Sequence, residues 1–186
     1  MRILVLNGSP DAQGKTKQAV ELFLDGMFDH AELFHKNDPA LYCSFMNLAW
    51  MQIAPCTRCG MCKANPGKCI LKDAGQHILN SAKLCGVYVI ATPVYAGGVS
   101  GILKVAADRL YAHDPSVFSG KKMVLITEGC SRGDERGHQL IESQMELLCE
   151  RLNMAFVASH HIPYSETDAI PAYIRNSLYN DYPLFL

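Results

Sequence analysis

Residues 86–92 read GVYVIAT, a run without a single charged residue. Its β-branched and aromatic side chains favour a strand, and the run is apolar on both of its alternating faces. A strand of this kind is typical of the centre of a parallel sheet that helices cover on both sides. We therefore predict a central strand here, followed by a loop at residues 93–100.

Apolar runs and helix-period patterns alternate on both sides of this central strand. The pattern predicts further strands at residues 2–6, 41–48, 122–127 and 155–159. It predicts helices from about Thr16, over residues 73–83 with Asp73 capping the N-terminus, from Leu103, and through Ile141 to Leu152. Such alternation implies a parallel sheet with right-handed crossovers and helices on both faces. Ligands of such α/β sheets bind at the carboxyl ends of the strands.

The length and composition indicate one globular domain. The chain has 186 residues, of which 49% are hydrophobic and 19% are charged. We expect a single domain over residues 1–186, with a cysteine-rich loop at 53–72 and an aromatic C-terminal extension at 163–186. That extension is expected to dock as a helix on its own domain, and the alternative is an arm between subunits.

Charge and hydropathy exclude several classes of partner. The formal net charge is -1, so no broad positive field exists to attract nucleic acid or an anionic membrane surface. The longer uncharged stretches are interrupted by proline and glycine, and the N-terminal apolar run is too short for a secretory signal. These patterns predict a cytoplasmic protein without a membrane or nucleic-acid partner. The scattered Cys43, Cys85 and Cys149 lie in apolar stretches and are expected to be buried.

The first candidate loop, residues 7–16, reads NGSPDAQGKT and joins the first strand to the first helix. A nucleotide-binding P-loop needs four residues between its first glycine and the Gly-Lys-Thr, whereas five separate Gly8 from Gly14 here. The loop suits a single terminal phosphate instead, bound by free amides at the helix N-terminus, by Lys15 and by the hydroxyls of Ser9 and Thr16. The alternative is an ordinary strand-to-helix turn with Ser and Thr as caps.

Two further loops follow later strands of the predicted sheet. Residues 92–101 read TPVYAGGVSG and suit a flat aromatic ligand, because Tyr95 offers an aromatic face and the glycines from Gly97 allow close backbone approach. Residues 127–133 read TEGCSRG and follow the next strand. Three loops on one sheet edge could hold a phosphate, a polyol and a ring system.

Taken together, these motifs resemble a known family. NGSP followed by GKT, TPVY with a helix ending in Asp108-Arg109, and APCTRCGMCKANPGKC between them are similar to the flavodoxin-like NAD(P)H-dependent FMN reductases, most of all to their iron-sulfur flavoprotein branch. The resemblance covers about residues 1–152. It implies a three-layer α/β sandwich with a five-stranded parallel sheet in the order 2-1-3-4-5, and a homodimer or homotetramer.

The resemblance also implies a cofactor and its contacts. FMN would place its phosphate on Ser9, Gln13, Lys15 and Thr16, and its ring against Pro93, Val94 and Tyr95. Thr127, Glu128 and Gly129 would lie near the pyrimidine side of the ring. Three residues depart from the family pattern, since Ala96 replaces an aromatic residue, Gly101 an alanine and Asp11 an arginine. The first two open the flavin pocket and the third adds a negative charge near the phosphate, so they predict weaker FMN retention.

The cysteine segment is the second candidate centre. Cys56, Cys59, Cys62 and Cys69 lie within fourteen residues, and Pro66-Gly67 turns the chain back to the last of them. Four thiolates so placed can meet the four irons of a [4Fe-4S] cluster. Structural zinc more often takes two separated Cys pairs, so zinc is the weaker metal hypothesis, and a bare loop remains the alternative to the cluster.

The leading functional hypothesis is an oxidoreductase. FMN would take electrons from NAD(P)H or a protein donor, and the acceptor would be a quinone, another small electrophile or the iron-sulfur cluster. No catalytic side chain is expected, because the flavin carries the chemistry, and we interpret His160-His161 as surface or packing residues. The rival hypothesis is a non-enzymatic electron carrier or flavin-binding module.

Overall fold

The computed structural model describes residues 1–34, 41–129 and 135–162. Its strands are β1 (Arg2–Asn7), β2 (Tyr42–Asn47), β3 (Val87–Pro93), β4 (Lys122–Glu128) and β5 (Ala155–Ile162). All neighbouring strands are parallel, and the sheet order is β2-β1-β3-β4-β5. The predicted sheet order is therefore confirmed. The strand order reverses between β1 and β3, which places the loops after these two strands on either side of the switch point.

The helices are α1 (Lys15–Phe34), α2 (Met61–Ala64), α3 (Gly75–Leu84), α4 (Gly101–Leu110) and α5 (Glu135–Leu152). Short 3₁₀ turns lie at Leu48–Trp50 and Pro115–Phe118. Four of the helices match the predicted ones, whereas α2 inside the cysteine segment was not predicted. Helix α3 begins at Gly75 and its N-cap is Ala74, so the prediction of Asp73 as the capping residue is wrong by one position. The Asp73 carboxylate nevertheless accepts a hydrogen bond from the Gly75 amide at 2.9 Å.

The core lies on both faces of the sheet, and every residue of β3 is buried. On one face, Val20, Phe23 and Met27 of α1 pack at helical spacing against Ile3 and Val5 of β1. On the other face, α3, α4 and α5 supply the apolar side chains, among them Ile78, Leu103 and Ile141. Helices therefore cover both faces, which confirms the predicted three-layer sandwich.

The sequence expectation for one of the scattered cysteines is wrong. Cys85 and Cys149 are buried as predicted, but Cys43 is exposed. Cys43 lies on β2, an edge strand with only one neighbour in the described sheet. It is therefore exposed even though its neighbours in the sequence are apolar. The predicted C-terminal extension and Cys130 lie outside the described residues. No helix in the described ranges is both long enough and apolar enough to span a bilayer.

Candidate functional site

The loop after β1 is held close to β3 and α4 at Gly8. The Gly8 amide donates to the Ala91 carbonyl at 2.7 Å, and the Ser100 hydroxyl donates to the Gly8 carbonyl at 2.5 Å. A Cβ added at Gly8 would lie 2.7 Å from Cβ of Leu103. Only glycine fits here, and its contacts join the first loop to the second.

Two side chains shape this first loop from within. The side-chain oxygen of Asn7 accepts a hydrogen bond from the Ser9 amide at 3.2 Å, and its amide nitrogen donates to Oδ1 of Asn47 at 2.8 Å. Oδ1 of Asp11 accepts from the Gln13 amide at 3.0 Å. The departure from the family pattern at position 11 therefore has a structural role, because the carboxylate closes a turn of the loop.

The N-terminus of α1 offers unpaired donors to this loop. In the described part of the chain, the amides of Lys15, Thr16 and Lys17 donate to no protein group. First-turn amides and the helix dipole favour an anion at this position. The ammonium of Lys17 is held by Glu21 at 2.8 Å, whereas no ion pair with a described residue involves Lys15. Lys15 is therefore the cation available to this cradle.

The Thr16 hydroxyl has a different role from the one expected. It donates to Oε2 of Glu128 at 3.0 Å, and Thr16 is fully buried. The bond connects the first helix to the end of β4. Thr16 therefore offers its amide to an anion in the cradle, while its hydroxyl is used to join the first and third loops.

The second loop contains a tight two-residue turn. Tyr95 and Gly98 exchange two backbone hydrogen bonds at 2.9 Å, and the intervening Ala96 and Gly97 both have positive φ, at 49° and 73°. Positive φ at both central positions is typical of a type I′ turn. The turn leaves the Tyr95 side chain 46% exposed while Val94 is buried. An aromatic ring therefore stands at the sheet edge on a rigid turn.

The third loop begins with backbone groups that are already paired. The Val94 amide donates to the Glu128 carbonyl at 2.8 Å, and the Gly129 amide donates to the Ile162 carbonyl at 2.8 Å. These bonds extend the sheet past its strands and bring the second and third loops side by side. Gly129 therefore shapes the wall of the site and has no free amide for a ligand.

A pair of histidines lies under the third loop. Nδ1 of His138 is 2.7 Å from the Thr127 hydroxyl oxygen, and Nδ1 of His161 is 2.9 Å from it. The two imidazole rings stack with centroids 4.7 Å apart. Burial lowers the pKa of His138, and the Glu142 carboxylate opposes that shift only in part. Sequence analysis missed His138, because nothing in a helical segment distinguishes a histidine that faces a strand end.

The four clustered cysteines line one cavity of about 250 Å³. This cavity lies against the C-terminal end of α4, where Asp108, Arg109 and Tyr111 contribute to its wall. Cys56 and Cys59 are exposed, and Cys62 and Cys69 are half-buried. In the described ranges, no three His, Cys, Asp or Glu side chains are close enough together to hold a metal ion.

A buried ion pair fixes the cysteine loop to the fold. Nη1 and Nη2 of Arg109 donate to the two carboxylate oxygens of Asp73 at 2.8 and 3.0 Å. Nη1 also donates to the Ala54 carbonyl at 3.0 Å, and the Ala54 amide donates to Asp73 at 2.8 Å. Burial alone would raise the pKa of Asp73, but the bonds from Arg109, Ala54 and Gly75 lower it. The pair therefore stays ionised and holds the start of the loop.

Further hydrogen bonds hold the end of the loop. The Gly67 amide donates to the Ala112 carbonyl at 2.7 Å, and the Gln76 side chain bonds the Gly67 carbonyl at 3.0 Å and the Cys69 amide at 3.2 Å. A Cβ at Gly67 would lie 2.8 Å from the His113 ring. The backbone around the cysteines is thus held at both ends, although their thiols are not drawn together.

Comparisons with known proteins agree with this geometry. The family model described as NADPH-dependent FMN reductase matches residues 1–167. Two iron-sulfur flavoproteins of Methanocaldococcus jannaschii are 32% identical over 109 residues and 26% identical over 166 residues. The first alignment covers 59% of this chain and 51% of the relative, and the second covers 88% and 74%. The chain thus aligns with about half the length of the first of these relatives.

Solved structures share the fold at low sequence identity. A NADH:FMN oxidoreductase in its apo form superposes with a TM-score of 0.69 at 14% identity, covering 99% of this chain and 87% of that one. An FMN-dependent NADH-azoreductase from Bacillus anthracis, solved with FMN, gives a TM-score of 0.65 at 14% identity. That superposition covers 96% of this chain and 94% of the azoreductase. At this level of identity the likeness establishes the flavodoxin-like fold.

Proposed function

Because the chain belongs to the NADPH-dependent FMN reductase family, we propose that it is an FMN-dependent oxidoreductase that moves electrons from NAD(P)H or a protein donor to a small acceptor. The observation that carries this proposal is the junction of three loops at the carboxyl edge of the sheet. Hydrogen bonds from Gly8 to Ala91 and from Val94 to Glu128 join those loops directly. Such an edge is where doubly wound sheets bind their ligands.

The residues of the first loop fit the phosphate of FMN. The phosphate oxygens would accept hydrogen bonds from the unpaired amides of Lys15, Thr16 and Lys17. The Lys15 ammonium and the buried Ser9 hydroxyl would donate to them as well. Gln13 is exposed at the rim, where its side chain already accepts a bond from Lys17 at 3.1 Å. In this arrangement Gln13 is a peripheral phosphate contact.

The second and third loops fit the ring of FMN. Pro93, Val94 and Tyr95 would form one wall, and Gly97 would let the backbone approach the ring closely. Thr127, Glu128 and Gly129 would form the side next to its pyrimidine edge. When bound, FMN supplies the redox chemistry by accepting a hydride, which is two electrons and a proton, from NAD(P)H and passing the electrons on. The chain's own residues bind the ring and orient it.

We further propose that Cys56, Cys59, Cys62 and Cys69 hold a [4Fe-4S] cluster, which would supply one-electron transfer. A tetrahedral zinc site needs four sulfurs around a single ion, whereas a cubane takes one thiolate at each of four irons. The four cysteines of this chain line a common cavity. Their spacing in the sequence, without two separated Cys pairs, supports the cluster over zinc, and the M. jannaschii relatives carry iron-sulfur in their names.

The remaining proposals concern assembly and location. We propose a cytoplasmic homodimer or homotetramer. The described surface beside the cysteine loop exposes large apolar side chains, namely Trp50, Met61, Ile70 and Tyr111. Exposed Trp, Tyr and Met side chains are residue types that are enriched at interfaces between proteins.

The flavin proposal is tested by comparing FMN with riboflavin, which lacks the phosphate. We expect FMN to bind more tightly, and Lys15→Met to weaken FMN binding about tenfold, on the order of one charge-assisted hydrogen bond, while leaving riboflavin binding unchanged. Lys17→Met is the matched control, because Glu21 and Gln13 already hold that ammonium. Equal affinity for the two flavins, or no uptake of FMN in excess, would contradict the proposal.

Turnover then separates the enzyme from a carrier. We expect the FMN-loaded protein to oxidise NADPH or NADH in the presence of a quinone, followed at 340 nm. If neither NAD(P)H nor a reduced protein donor supports turnover of a small acceptor, the chain is an electron carrier or a flavin-binding module and the enzyme proposal fails.

The cluster is tested by anaerobic purification followed by an absorption spectrum and assays of iron and acid-labile sulfide. We expect about four irons per chain, and loss of most of the iron when any of the four cysteines is replaced by serine. Cys43→Ser is the control, because that thiol is exposed but lies outside the cavity lining. Iron content that is unchanged in Cys62→Ser would refute the ligand assignment.

A further inference from the structure

Arg109 is a buried charged side chain, and one of its hydrogen-bond donors has no partner among the described residues. It is 1% exposed, and its two terminal nitrogens are satisfied by Asp73 and Ala54. Its Nε–H group has no hydrogen-bond partner among the described residues. Buried donors are almost always paired, so an unpaired one at the wall of a cavity indicates an acceptor that the cavity brings to it.

The sulfur of Cys69 is an acceptor of suitable chemistry at this cavity. Cys69 and Arg109 line the same cavity. Burial by itself would lower the pKa of Arg109, but the Asp73 carboxylate and the Cys69 side chain raise it. The Cys69 amide is fixed by Gln76 at 3.2 Å, so its side chain turns about a held backbone.

The guanidinium is positioned for this task by its surroundings. Asp73 holds both terminal nitrogens in a bidentate pair, which fixes the plane of the group. A Cβ at Gly75 would lie 2.8 Å from Cζ of Arg109, so the turn at the start of α3 leaves room for no bulkier residue. Arg109 therefore presents its remaining N–H in a fixed direction.

We propose that Arg109 is a positioning residue for the cysteine site, in which its Nε–H donates to the sulfur of Cys69, holds that thiolate in place as a cluster ligand and raises the reduction potential of the site. This proposal rests on the proposed [4Fe-4S] function. Groups that hydrogen-bond to metal ligands orient them and affect how tightly the metal is held. Hydrogen bonds to sulfur and local positive charge favour the more negative, reduced state of a cluster.

The test compares Arg109→Lys with Arg58→Lys in the anaerobically purified, full-length protein. Both variants keep a positive charge at the cavity lining, but Arg58 is exposed and has no part in the Asp73 clamp. The measurements are the rate of iron release to a chelator and the midpoint potential of the cluster from an EPR-monitored redox titration. Bound FMN per chain serves as the check on folding.

We expect Arg109→Lys to release iron about tenfold faster than the wild type and to have a lower midpoint potential, with FMN content unchanged. Arg58→Lys should match the wild type in both measurements. If Arg109→Lys fails to bind FMN, the double variant Asp73→Asn/Arg109→Gln replaces the ion pair with neutral hydrogen-bonding groups and should show the same two changes.

Two outcomes overturn the inference in distinguishable ways. A wild-type protein that holds no iron refutes the proposed cluster, and the role of Arg109 falls with it. A wild-type protein that holds iron, with equal potentials and release rates in both lysine variants, refutes the role of Arg109 alone.

Discussion

Single residues fix the geometry of the loops that we propose bind FMN. Gly97 lies at φ 73°, in the left-handed region, and nothing is within 4 Å of the position its Cβ would take. A side chain at this position would therefore reduce the stability through backbone strain and not through a steric clash. The neighbouring Ala96 already occupies this region at φ 49°, which shows that the turn geometry is imposed by its two backbone hydrogen bonds.

We expect Gly97→Ala to lower the free energy of unfolding by about 1 kcal/mol, because alanine at positive φ is strained. The measurement is urea unfolding followed by circular dichroism. Gly98→Ala is the matched control, since Gly98 does not have positive φ and its nearest atom beyond its chain neighbours is 3.8 Å from the added Cβ. Equal stability of the two variants would show that the turn relaxes around a second alanine.

At the scale of elements, α4 connects the two candidate centres. Gly101 at its N-terminus follows the loop proposed to contact FMN, and Arg109 near its C-terminus lines the cysteine cavity. Eight residues at 1.5 Å per residue separate the two ends by about 12 Å along the helix axis. The family resemblance rested on the sequence motifs of both candidate centres. The distance between the two centres within one chain is determined by the helix that connects them.

Strands β4 and β5 and helix α5 meet at the Thr127 hydroxyl. A hydroxyl has one proton, so it donates to the Nδ1 of one histidine while it accepts from the other when both rings are neutral. Protonating His138 would place a second donor and a charge beside the stacked His161 ring. Ser159, 3.4 Å from Nε2 of His138, and the Glu142 carboxylate are the other polar groups around this ring.

This arrangement predicts a pH-dependent stability. Because burial lowers the pKa of His138 in the folded state, the unfolded chain takes up the proton first as the pH falls. The stability that neutral His138 contributes to the folded state is therefore fully present above about pH 6.5, the ordinary pKa of histidine. It is lost as the pH falls through the lowered pKa that His138 has in the folded state.

We expect the free energy of unfolding to decrease from pH 7.5 to 5.5 in the wild type and to decrease less in His138→Gln. Urea titrations at the two pH values provide the measurement, with the exposed His77→Gln as control. If the free energy of unfolding decreases as much in His138→Gln as in the wild type, another group causes the pH dependence.

At the scale of the whole molecule, the described surface exposes several large apolar side chains. Trp50 is 68% exposed and is the only tryptophan of the chain. It follows β2, at the start of the segment that leads to the cysteines. Tryptophan is enriched among residues that dominate the energy of interfaces, so its exposure is the feature that most favours assembly.

We expect the protein to form oligomers in which Trp50 is covered, so that its fluorescence shifts to longer wavelength when dilution separates the subunits. Trp50→Ser should raise the dissociation constant about tenfold or more, measured by size-exclusion chromatography with light scattering. Leu140→Ser on α5, 55% exposed, is the control. A wild-type protein that remains monomeric at high concentration would contradict the proposed assembly.

Local patterns in the sequence were enough to predict the order along the chain and the type of the main elements, because strand and helix periodicities involve residues close in the chain. The run at 86–92 predicted β3, whereas the strand order of the sheet, which the structure confirms, was implied by the family resemblance. The cysteine spacing and the loop motifs likewise named the candidate centres. These signals depend on residues that are close in the chain, so no tertiary contact was needed to find them.

Which groups of the site are still free to bind a ligand depends on the three-dimensional structure. The Thr16 hydroxyl is paired with Glu128, and the Gly129 amide with Ile162, through contacts between residues far apart in sequence. The exposure of Cys43 follows from the edge position of β2, which sequence periodicity does not encode. The burial of Arg109 and the pairing of its terminal nitrogens with Asp73 and Ala54 likewise arise from contacts between residues far apart in sequence. Pairing and burial depend on the three-dimensional neighbours of a group, and folding alone brings those neighbours together.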